Sequence, residues 1–247
     1  MPKLFLPDRI IRVNQLDSTN SYALQLLKDT NPSGGTVVMA LNQTEGRGQQ
    51  TNAWESERGK NLTISLILRP DFILAQDQFQ ISMLISLGIA DYLKAYTENV
   101  SIKWPNDIYV GDKKIAGVLI EQSIMGAHLS HSVCGIGVNV NQKKFVSDAP
   151  NPVSLNILTN EYYQLENELV KLLAAFEKRY FQTMTNGGRE LEVDYLKSLY
   201  WMNEEHTFED EDGEFTGKII GISKFGQLQI EEEEIRTYNF KEVSFIK

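Results

Sequence analysis

Hydrophobic residues along this chain recur with two spacings, and each spacing predicts a kind of secondary structure. They return every three or four positions between Gln76 and Tyr96, and again between Tyr162 and Phe181, which predicts two amphipathic helices. The same spacing after the N-cap residues Asp17–Asn20 predicts a short helix that ends near Lys28. A further short helix is predicted from Leu191 to Tyr200.

Alternating or continuously apolar stretches predict the strands. In chain order these are Thr36–Ala40, Leu62–Leu68, Val100–Trp104, Asp107–Val110, Lys114–Glu121 and Ser132–Val140. Gly111–Lys113 predicts a hairpin turn between two of them. Helices interspersed with strands that are joined by hairpins and by longer connections are typical of an α/β (α+β) fold, here a mixed β-sheet covered by helices.

After Trp201 the pattern changes to short β-runs. They are Thr216–Ile222, Gly226–Ile230, Ile235–Phe240 and Val243–Ile246. This rhythm is typical of a small barrel-like β-domain. We therefore expect a larger domain over residues 1–198 and a small β-domain over residues 199–247.

Composition narrows the classes of protein. The hydrophobic share of 42% and the charged share of 23% are ordinary for a globular protein. No apolar run approaches the ~20 residues of a membrane span, and the proline-broken start of the chain is too short for a signal peptide. The single cysteine, Cys134, excludes an intrachain disulfide, and its apolar neighbours indicate a buried packing residue. We expect a cytoplasmic protein without a membrane partner.

The negative charge is concentrated near the end of the chain. The net charge is −9, and the 12 acidic and 5 basic side chains from Trp201 to Lys247 leave a balance of −7. Such a segment repels phosphate backbones, so we expect no nucleic-acid partner there. The acidic stretches Glu209–Glu214 and Glu231–Glu234 are expected to be solvated faces.

A polar loop from Gln43 to Trp54 connects two predicted strands. Gly46 and Gly48 let the backbone approach a ligand, and Arg47 between them offers a charged fork for a phosphate or carboxylate. The same residues also fit a flexible hairpin loop with a surface arginine. The loop matches neither the dinucleotide-binding fingerprint nor the P-loop.

A second group of polar residues surrounds a predicted hairpin. Lys103 and Asn106-Asp107 flank Trp104-Pro105, and Lys114 begins a strongly apolar strand where it is partly desolvated and seeks an anion. Two cations, an amide and a carboxylate suit a triphosphate with a metal ion. Asp107 could instead neutralise a lysine structurally. Asp17–Asn20 likewise fits either a helix cap or a contact to the polar end of a small ligand.

Taken together, these segments resemble the biotin–protein ligase family over about residues 12 to 245. The matching segments are Asp17–Asn20, Gln43 with Gly46–Gly48, Trp54, Asn61-Leu62, Lys103–Asp107, Lys114–Gly117 with Glu121, and Gly135–Asn139. The resemblance implies a catalytic domain related to lipoate ligases and class II tRNA synthetases, followed by an SH3-like C-terminal domain.

The resemblance also implies an activity. An ATP-dependent ligase of this family activates biotin as biotinyl-5′-AMP, releases pyrophosphate, and transfers biotin to a lysine of a carrier protein. The implied cosubstrate and metal are ATP and Mg²⁺, with biotin as substrate. The implied partner is the biotin carboxyl carrier protein of acetyl-CoA carboxylase or a related carboxylase. Relatives include monomers and dimers, so a homodimer is compatible with the resemblance.

Site roles follow from the same resemblance. Biotin contacts are expected from Ser18, Thr19, Asn20, Gln43, Arg47, Gly48, Gln49, Lys114 and Gly117. ATP and adenylate contacts are expected from Arg47, Trp54, Lys103, Asn106 and Asn139. Lys114, Arg47 and Asp107 are the expected catalytic residues. Asp107 is also the candidate Mg²⁺ ligand and the group that orients or deprotonates the acceptor lysine.

The chain departs from the family pattern in three places. Gln49 and Gln50 stand where many members carry arginine or lysine, which predicts weaker retention of the adenylate. Thr51 replaces a usual glycine of the loop. The Asp17 motif comes too early for the DNA-binding domain of repressor relatives, so we expect an enzyme only.

Two alternatives remain open at this point. A lipoate or octanoate ligase shares Asn106-Asp107 and Lys114–Gly117, although that family lacks Trp104-Pro105. A non-catalytic biotin sensor would keep the pocket and release no pyrophosphate.

Overall fold

The computed structural model describes residues 3–49, 52–146 and 151–246, and its larger sheet has seven strands. They are β1 (Ile10–Val13), β2 (Thr36–Ala40), β3 (Leu62–Leu68), β4 (Val100–Lys103), β5 (Asp107–Val110), β6 (Lys113–Met125) and β7 (His128–Val138). Across the sheet the order is β1-β2-β3-β7-β6-β5-β4. Only β1 and β2 are parallel neighbours in this sheet, so the predicted mixed sheet is confirmed.

Helices cover both faces of this sheet. They are α1 (Thr19–Asp29), α2 (Phe79–Leu93), α3 (Leu155–Thr159), α4 (Leu165–Asn186) and α5 (Gly188–Lys197). Helix α1 packs against β2, β3 and β7, whereas α2 packs against β4, β5 and β6 and is covered by α4 and α5. None of the helices in the described ranges combines the length and the apolar character that crossing a bilayer requires.

The two faces of β3 differ in chemistry although all its residues are buried. Its even-numbered leucines and isoleucine belong to the main core, and Ile67 belongs to a small cluster beneath α1. Because side chains alternate between faces, Thr63 and Ser65 share the face of Ile67. Buried hydroxyls need hydrogen-bond partners. Thr63 donates to the Ala40 carbonyl at 2.6 Å, and Ser65 donates to residues of α1.

The smaller sheet forms the predicted C-terminal β-domain. Its strands are β8 (Glu205–Asp210), β9 (Gly213–Ile222), β10 (Leu228–Glu231), β11 (Ile235–Tyr238) and β12 (Ser244–Phe245). They are antiparallel in the order β11-β10-β9-β8-β12. The residue at which the two domains divide stays a prediction.

The two sheets are in direct contact. The backbone N–H of Ile102 donates to the Ser198 carbonyl at 2.7 Å, and Tyr200 returns a bond to the Ile102 carbonyl at 2.9 Å. The buried indole of Trp104 donates to the Gly226 carbonyl of the C-terminal domain at 2.8 Å. The chain therefore passes beside β4 through an isolated parallel bridge between Ile102 and Leu199 before it enters its second domain.

Some predicted boundaries are wrong. Lys113 opens β6 and does not belong to the turn, because the two-residue turn Gly111-Asp112 already reverses the chain. Helix α4 begins at Leu165 and runs to Asn186, beyond the predicted end at Phe181. Strand β7 begins four residues before Ser132, where it pairs with the exposed end of β6.

Candidate active site

A cleft with a volume of about 560 Å³ lies between the sheet, the loop before Trp54, and the C-terminal domain. Its lining includes Ser18, Thr19, Asn20, Gln43, Arg47, Gly48, Gln49, Trp54, Lys103, Asn106, Asp107, Lys114 and Gly117. The structure thus brings together the site residues predicted from sequence, with the exception of Asn139. Gln50 and Thr51 lie outside the described residues.

The N-terminus of α1 forms one wall of the cleft. Ser18 is the N-cap, and its hydroxyl accepts from the Ser21 N–H at 3.5 Å. The N–H and the hydroxyl of Thr19 both donate to Gln43 Oε1, at 2.8 and 3.1 Å. Asn20 Oδ1 accepts from the buried hydroxyl of Ser65 at 2.6 Å. This segment is therefore both a helix cap and a rigid polar wall, so the two interpretations of its sequence are compatible.

Bare backbone forms the floor of the cleft. A Cβ atom at Gly135 would lie 2.4 Å from Asn20 Oδ1, and one at Gly137 would lie 2.1 Å from the Trp54 ring. Real Cβ atoms do not approach other atoms so closely. The glycines of β7 therefore let Asn20 and Trp54 rest directly on the sheet.

The loop before Trp54 is closed by its own backbone. The Trp54 N–H donates to the Gly46 carbonyl at 2.8 Å, and the Gly48 N–H donates to the Asn52 carbonyl at 2.7 Å. The Arg47 guanidinium lines the cleft and forms an ion pair with Glu121, with Nη2 3.2 Å from Oε1. The predicted cationic fork thus already has a carboxylate partner, which could not be identified from the sequence pattern.

Lys114 and Asp107 form an ion pair on the opposite wall. Lys114 Nζ lies 2.7 Å from Asp107 Oδ2, and the two side chains are 22% and 28% exposed. The lysine therefore has the anionic partner that its position demands, while both groups still face the cleft. Lys114 Nζ also lies 5.9 Å from the centre of the Trp54 ring. Asp107 can therefore neutralise Lys114 in the folded protein while both side chains remain accessible to a ligand.

Lys103 and Asn106 lie further toward the C-terminal domain. Lys103 Nζ is 4.6 Å from the ring centre of Phe245, which is a cation–π contact between the domains. The Asn106 amide donates to the Val118 carbonyl, which fixes its side chain against β6. Burial raises the pKa of the neighbouring Tyr109 to about 12, with the nearby carboxylates of Asp107 and Asp112 adding to the shift. Its hydroxyl therefore stays neutral at physiological pH.

Asn139 lies behind the cleft. It is buried, its side-chain amide donates to the Val153 carbonyl at 3.1 Å, and its backbone N–H donates to the Ile115 carbonyl at 2.9 Å. Val153 in turn donates to the Lys114 carbonyl at 2.9 Å. The contacts of Asn139 are therefore to the backbone that carries Lys114. Its expected contact to the adenylate stays a prediction.

The C-terminal domain supplies a wall that sequence reasoning missed. Phe240, Lys241, Val243, Ser244 and Phe245 line the cleft. These residues belong to short β-runs that resemble ordinary barrel strands, so their spacing contained no signal of a ligand site. Cys134, by contrast, is buried as predicted, and burial raises the pKa of its thiol.

The charge of the cleft is opposite to that of the protein. Arg47, Lys103, Lys114 and Lys241 are its cationic lining residues, and Asp107 is the acidic residue among those described. In the described parts of the chain, no group of three or more His, Cys, Asp or Glu side chains is placed to hold a metal ion. A polyanionic ligand fits this cleft, and a metal ion would depend on that ligand for most of its oxygen contacts.

Comparison with known proteins identifies two family domains in this chain. Residues 13–139 match the model of the biotin/lipoate A/B protein ligase family, and residues 203–245 match that of the biotin protein ligase C-terminal domain. The biotin–[acetyl-CoA-carboxylase] ligase of Paracoccus denitrificans is 31% identical over 86% of this chain and 90% of its own length. The bifunctional ligase/repressor BirA of Bacillus spizizenii is 32% identical over 91% of this chain and 70% of its own length.

A solved structure shows the same architecture. The biotin protein ligase from Aquifex aeolicus, in complex with biotin and ATP, matches with a TM-score of 0.78 and 28% identity, covering 96% of this chain and 98% of that one. The match extends through the C-terminal domain, which agrees with the second family model. The chain therefore belongs to the biotin–protein ligase family.

Proposed function

We propose that this protein catalyses the ATP-dependent attachment of biotin to a lysine of a carrier protein. The observation that carries the proposal is the convergence of the family's polar residues on one cleft, whose described lining includes four cationic side chains and one carboxylate. A protein of net charge −9 that concentrates positive charge at one site is suited to an anionic substrate there. The carboxylate of biotin and the triphosphate of ATP are both anionic.

In the first half-reaction the biotin carboxylate attacks the α-phosphorus of ATP and pyrophosphate leaves. The protein has to hold two anions together and offset their repulsion. We assign this to Lys114, whose ammonium faces the cleft beside Trp54. Ser18, Thr19, Asn20 and Gln43 would receive the polar end of biotin, with Gly117 beneath it. Lys103, Asn106 and Trp54 would contact the nucleotide.

Magnesium fits as part of the nucleotide substrate. Mg²⁺ in such sites binds one or two carboxylates and takes its other ligands from phosphate oxygens and water. Asp107 is the carboxylate in place to do this, close to Lys114. When bound, the ion would neutralise phosphate charge, and the residues described above would still set the alignment of the reactants.

In the second half-reaction a neutral amine attacks the mixed anhydride and AMP leaves. The acceptor lysine has to lose a proton, and Asp107 is the candidate group to orient it or to accept that proton. Gly48 and Gln49 belong to the loop that would cover the intermediate and keep water out. We further propose a biotin carboxyl carrier domain as the acceptor and the cytoplasm as the location. A homodimer stays a prediction.

Biotin-dependent exchange of labelled pyrophosphate into ATP tests the first half-reaction directly. Lys114→Ala should lower the exchange rate by about 100-fold or more, because a preorganised charge at the reacting centre is worth that much. Lys113→Ala is the matched control, since the neighbouring side chain is exposed and does not line the cleft.

The substrate pattern separates the alternatives. Exchange with lipoate in place of biotin would reassign the protein to the lipoate ligases. Biotin binding without exchange in the wild type would make it a sensor. Undiminished exchange in Lys114→Ala would refute the role given to that lysine.

A further inference from the structure

Glu121 occupies a central position that the proposed reaction does not yet use. It lies on β6 opposite Val133, and residues directly opposite in an antiparallel pair share a face. Val133 packs beneath α1, so Glu121 points to the same side as the cleft. Its Oε2 accepts from Asn20 Nδ2 at 2.9 Å. One carboxylate is thus bonded to a residue of the cleft wall.

The same carboxylate holds Arg47. Nη2 of Arg47 lies 3.2 Å from Glu121 Oε1, and Nη1 lies 3.5 Å from Oε2 and 3.4 Å from the Ser21 hydroxyl. The contacts of this guanidinium are therefore to β6 and α1, on which the loop lies. A phosphate bound to the same nitrogens would lie beside the Glu121 carboxylate and be repelled by it.

We propose that Glu121 is a positioning residue, which ties the loop around Arg47 to the cleft wall and thereby slows escape of the adenylate. The inference rests on the proposed function. Arg47 then acts through Glu121, and the chemical step relies on Lys114. Because the two side chains are 45% and 29% exposed, the tie is weak enough to open and close with the loop.

The test compares Glu121→Gln, Arg47→Met and the double variant. Each single variant should release biotinyl-5′-AMP about twofold to fivefold faster, the range that a partly exposed ion pair supports. In Glu121→Gln the maximal rate of pyrophosphate exchange should change less than twofold, because Glu121 does not line the cleft and no reacting atom loses a contact. The double variant should behave like either single variant, since both remove the same tie. Arg47→Lys, which keeps the charge, should restore slow release only when Glu121 is present.

Glu166→Gln is the matched control. It breaks another arginine–glutamate pair, with Arg12 at 2.8 Å, whose side chains are also exposed and which does not line the cleft. It should leave both the release rate and the exchange rate unchanged.

Two results would overturn the proposal. One concerns the double variant. If its maximal exchange rate were more than tenfold below that of Glu121→Gln, Arg47 would be a direct phosphate ligand. The other is wild-type release from Glu121→Gln. Amide hydrogen exchange of residues 43–49 without substrate supplies a readout independent of the enzyme assignment. It should be faster in Glu121→Gln than in the wild type and in Glu166→Gln, and equal rates would refute the tie even if no ligase activity were found.

Discussion

The floor of the cleft depends on the absence of a side chain at Gly135. Asn20 rests against Gly135 because no Cβ separates them. Its side chain cannot easily move aside, since its amide group is bonded to Ser65, Leu119 and Glu121. Space at this glycine therefore sets the position of a proposed biotin contact.

Gly135→Ala should raise the KM for biotin by about tenfold, because the new methyl group displaces Asn20 at a cost of ~1–3 kcal/mol. Initial rates of pyrophosphate exchange at varied biotin check this. Gly34→Ala is the control, since its new Cβ would lie 3.4 Å from Arg69, an ordinary contact. An unchanged KM in Gly135→Ala would show that Asn20 does not position biotin.

Motifs in the sequence predicted which side chains meet at the site, but not how they pair. Lys114 and Asp107 are close in sequence and share a predicted hairpin, so their proximity could be foreseen. Arg47 and Glu121 are brought together only by the order of the strands and by the packing of α1. Ser65 did leave a signal, as a polar residue at an alternate position of an apolar strand.

Between elements, a buried carboxylate joins α4 to α2. Glu168 of α4 accepts hydrogen bonds from Tyr92, Tyr96 and Lys171. Burial by itself raises the pKa of this carboxyl, but the hydrogen bonds from the two tyrosines and the lysine outweigh it, so its pKa lies below the ordinary value of 4.5. The ionised form therefore stabilises the fold.

This pKa shift predicts an acid-dependent loss of stability. Because the folded pKa is lower than the unfolded one, the contribution is complete above about pH 4.5 and is lost as the pH falls through the folded pKa. Glu168→Gln should lower the free energy of unfolding by about 1–3 kcal/mol at pH 7. It should also flatten the fall in stability below pH 4.5.

Urea unfolding across this pH range measures both effects, with Glu192→Gln on α5 as the exposed control. Parallel pH profiles for the wild type and Glu168→Gln would contradict the assignment.

Long, strongly periodic elements were predicted best. Helix α2 and strand β3 each have enough apolar residues at regular spacing to be predicted from that spacing alone. The observed bounds of β3 are the predicted ones. Strand β8 was missed because half of its residues, Glu205–Asp210, are acidic and only Phe208 is buried. Strand β1 and helix α3 are only four and five residues long, and their stability comes from neighbours in the fold.

At the scale of the whole molecule, the C-terminal domain completes the cleft. Trp104 is only 7% exposed, and it reaches across to the Gly226 carbonyl while its ring lies 6.3 Å from that of Phe240. The acidic side chains described in this domain lie outside the cleft. Among its residues that line the cleft, the charged one is Lys241. The order of the two domains could be predicted from the change to short β-runs after Trp201, but the contact of Trp104 with Gly226 could not.

Trp104→Phe should destabilise the protein by about 1–3 kcal/mol, because it leaves the buried Gly226 carbonyl without its donor. It should also raise the KM for ATP, as the wall formed by the C-terminal domain loosens. Urea unfolding and steady-state exchange measure the two effects. If only stability changed, the domain contact would be structural and separate from nucleotide binding.

The glycine floor also has a genetic consequence. Every amino acid other than glycine carries a Cβ. Any amino-acid substitution at position 135 or 137 would therefore place an atom against Asn20 or Trp54, whatever the chemistry of the new side chain. In a saturation library selected for carrier biotinylation at limiting biotin, where a raised KM lowers the rate, these two codons should survive almost only as synonymous changes. Positions such as Phe225, which is 69% exposed and does not line the cleft, should accept many residues. The floor would then appear in sequencing data as a pair of invariant glycines separated by one residue.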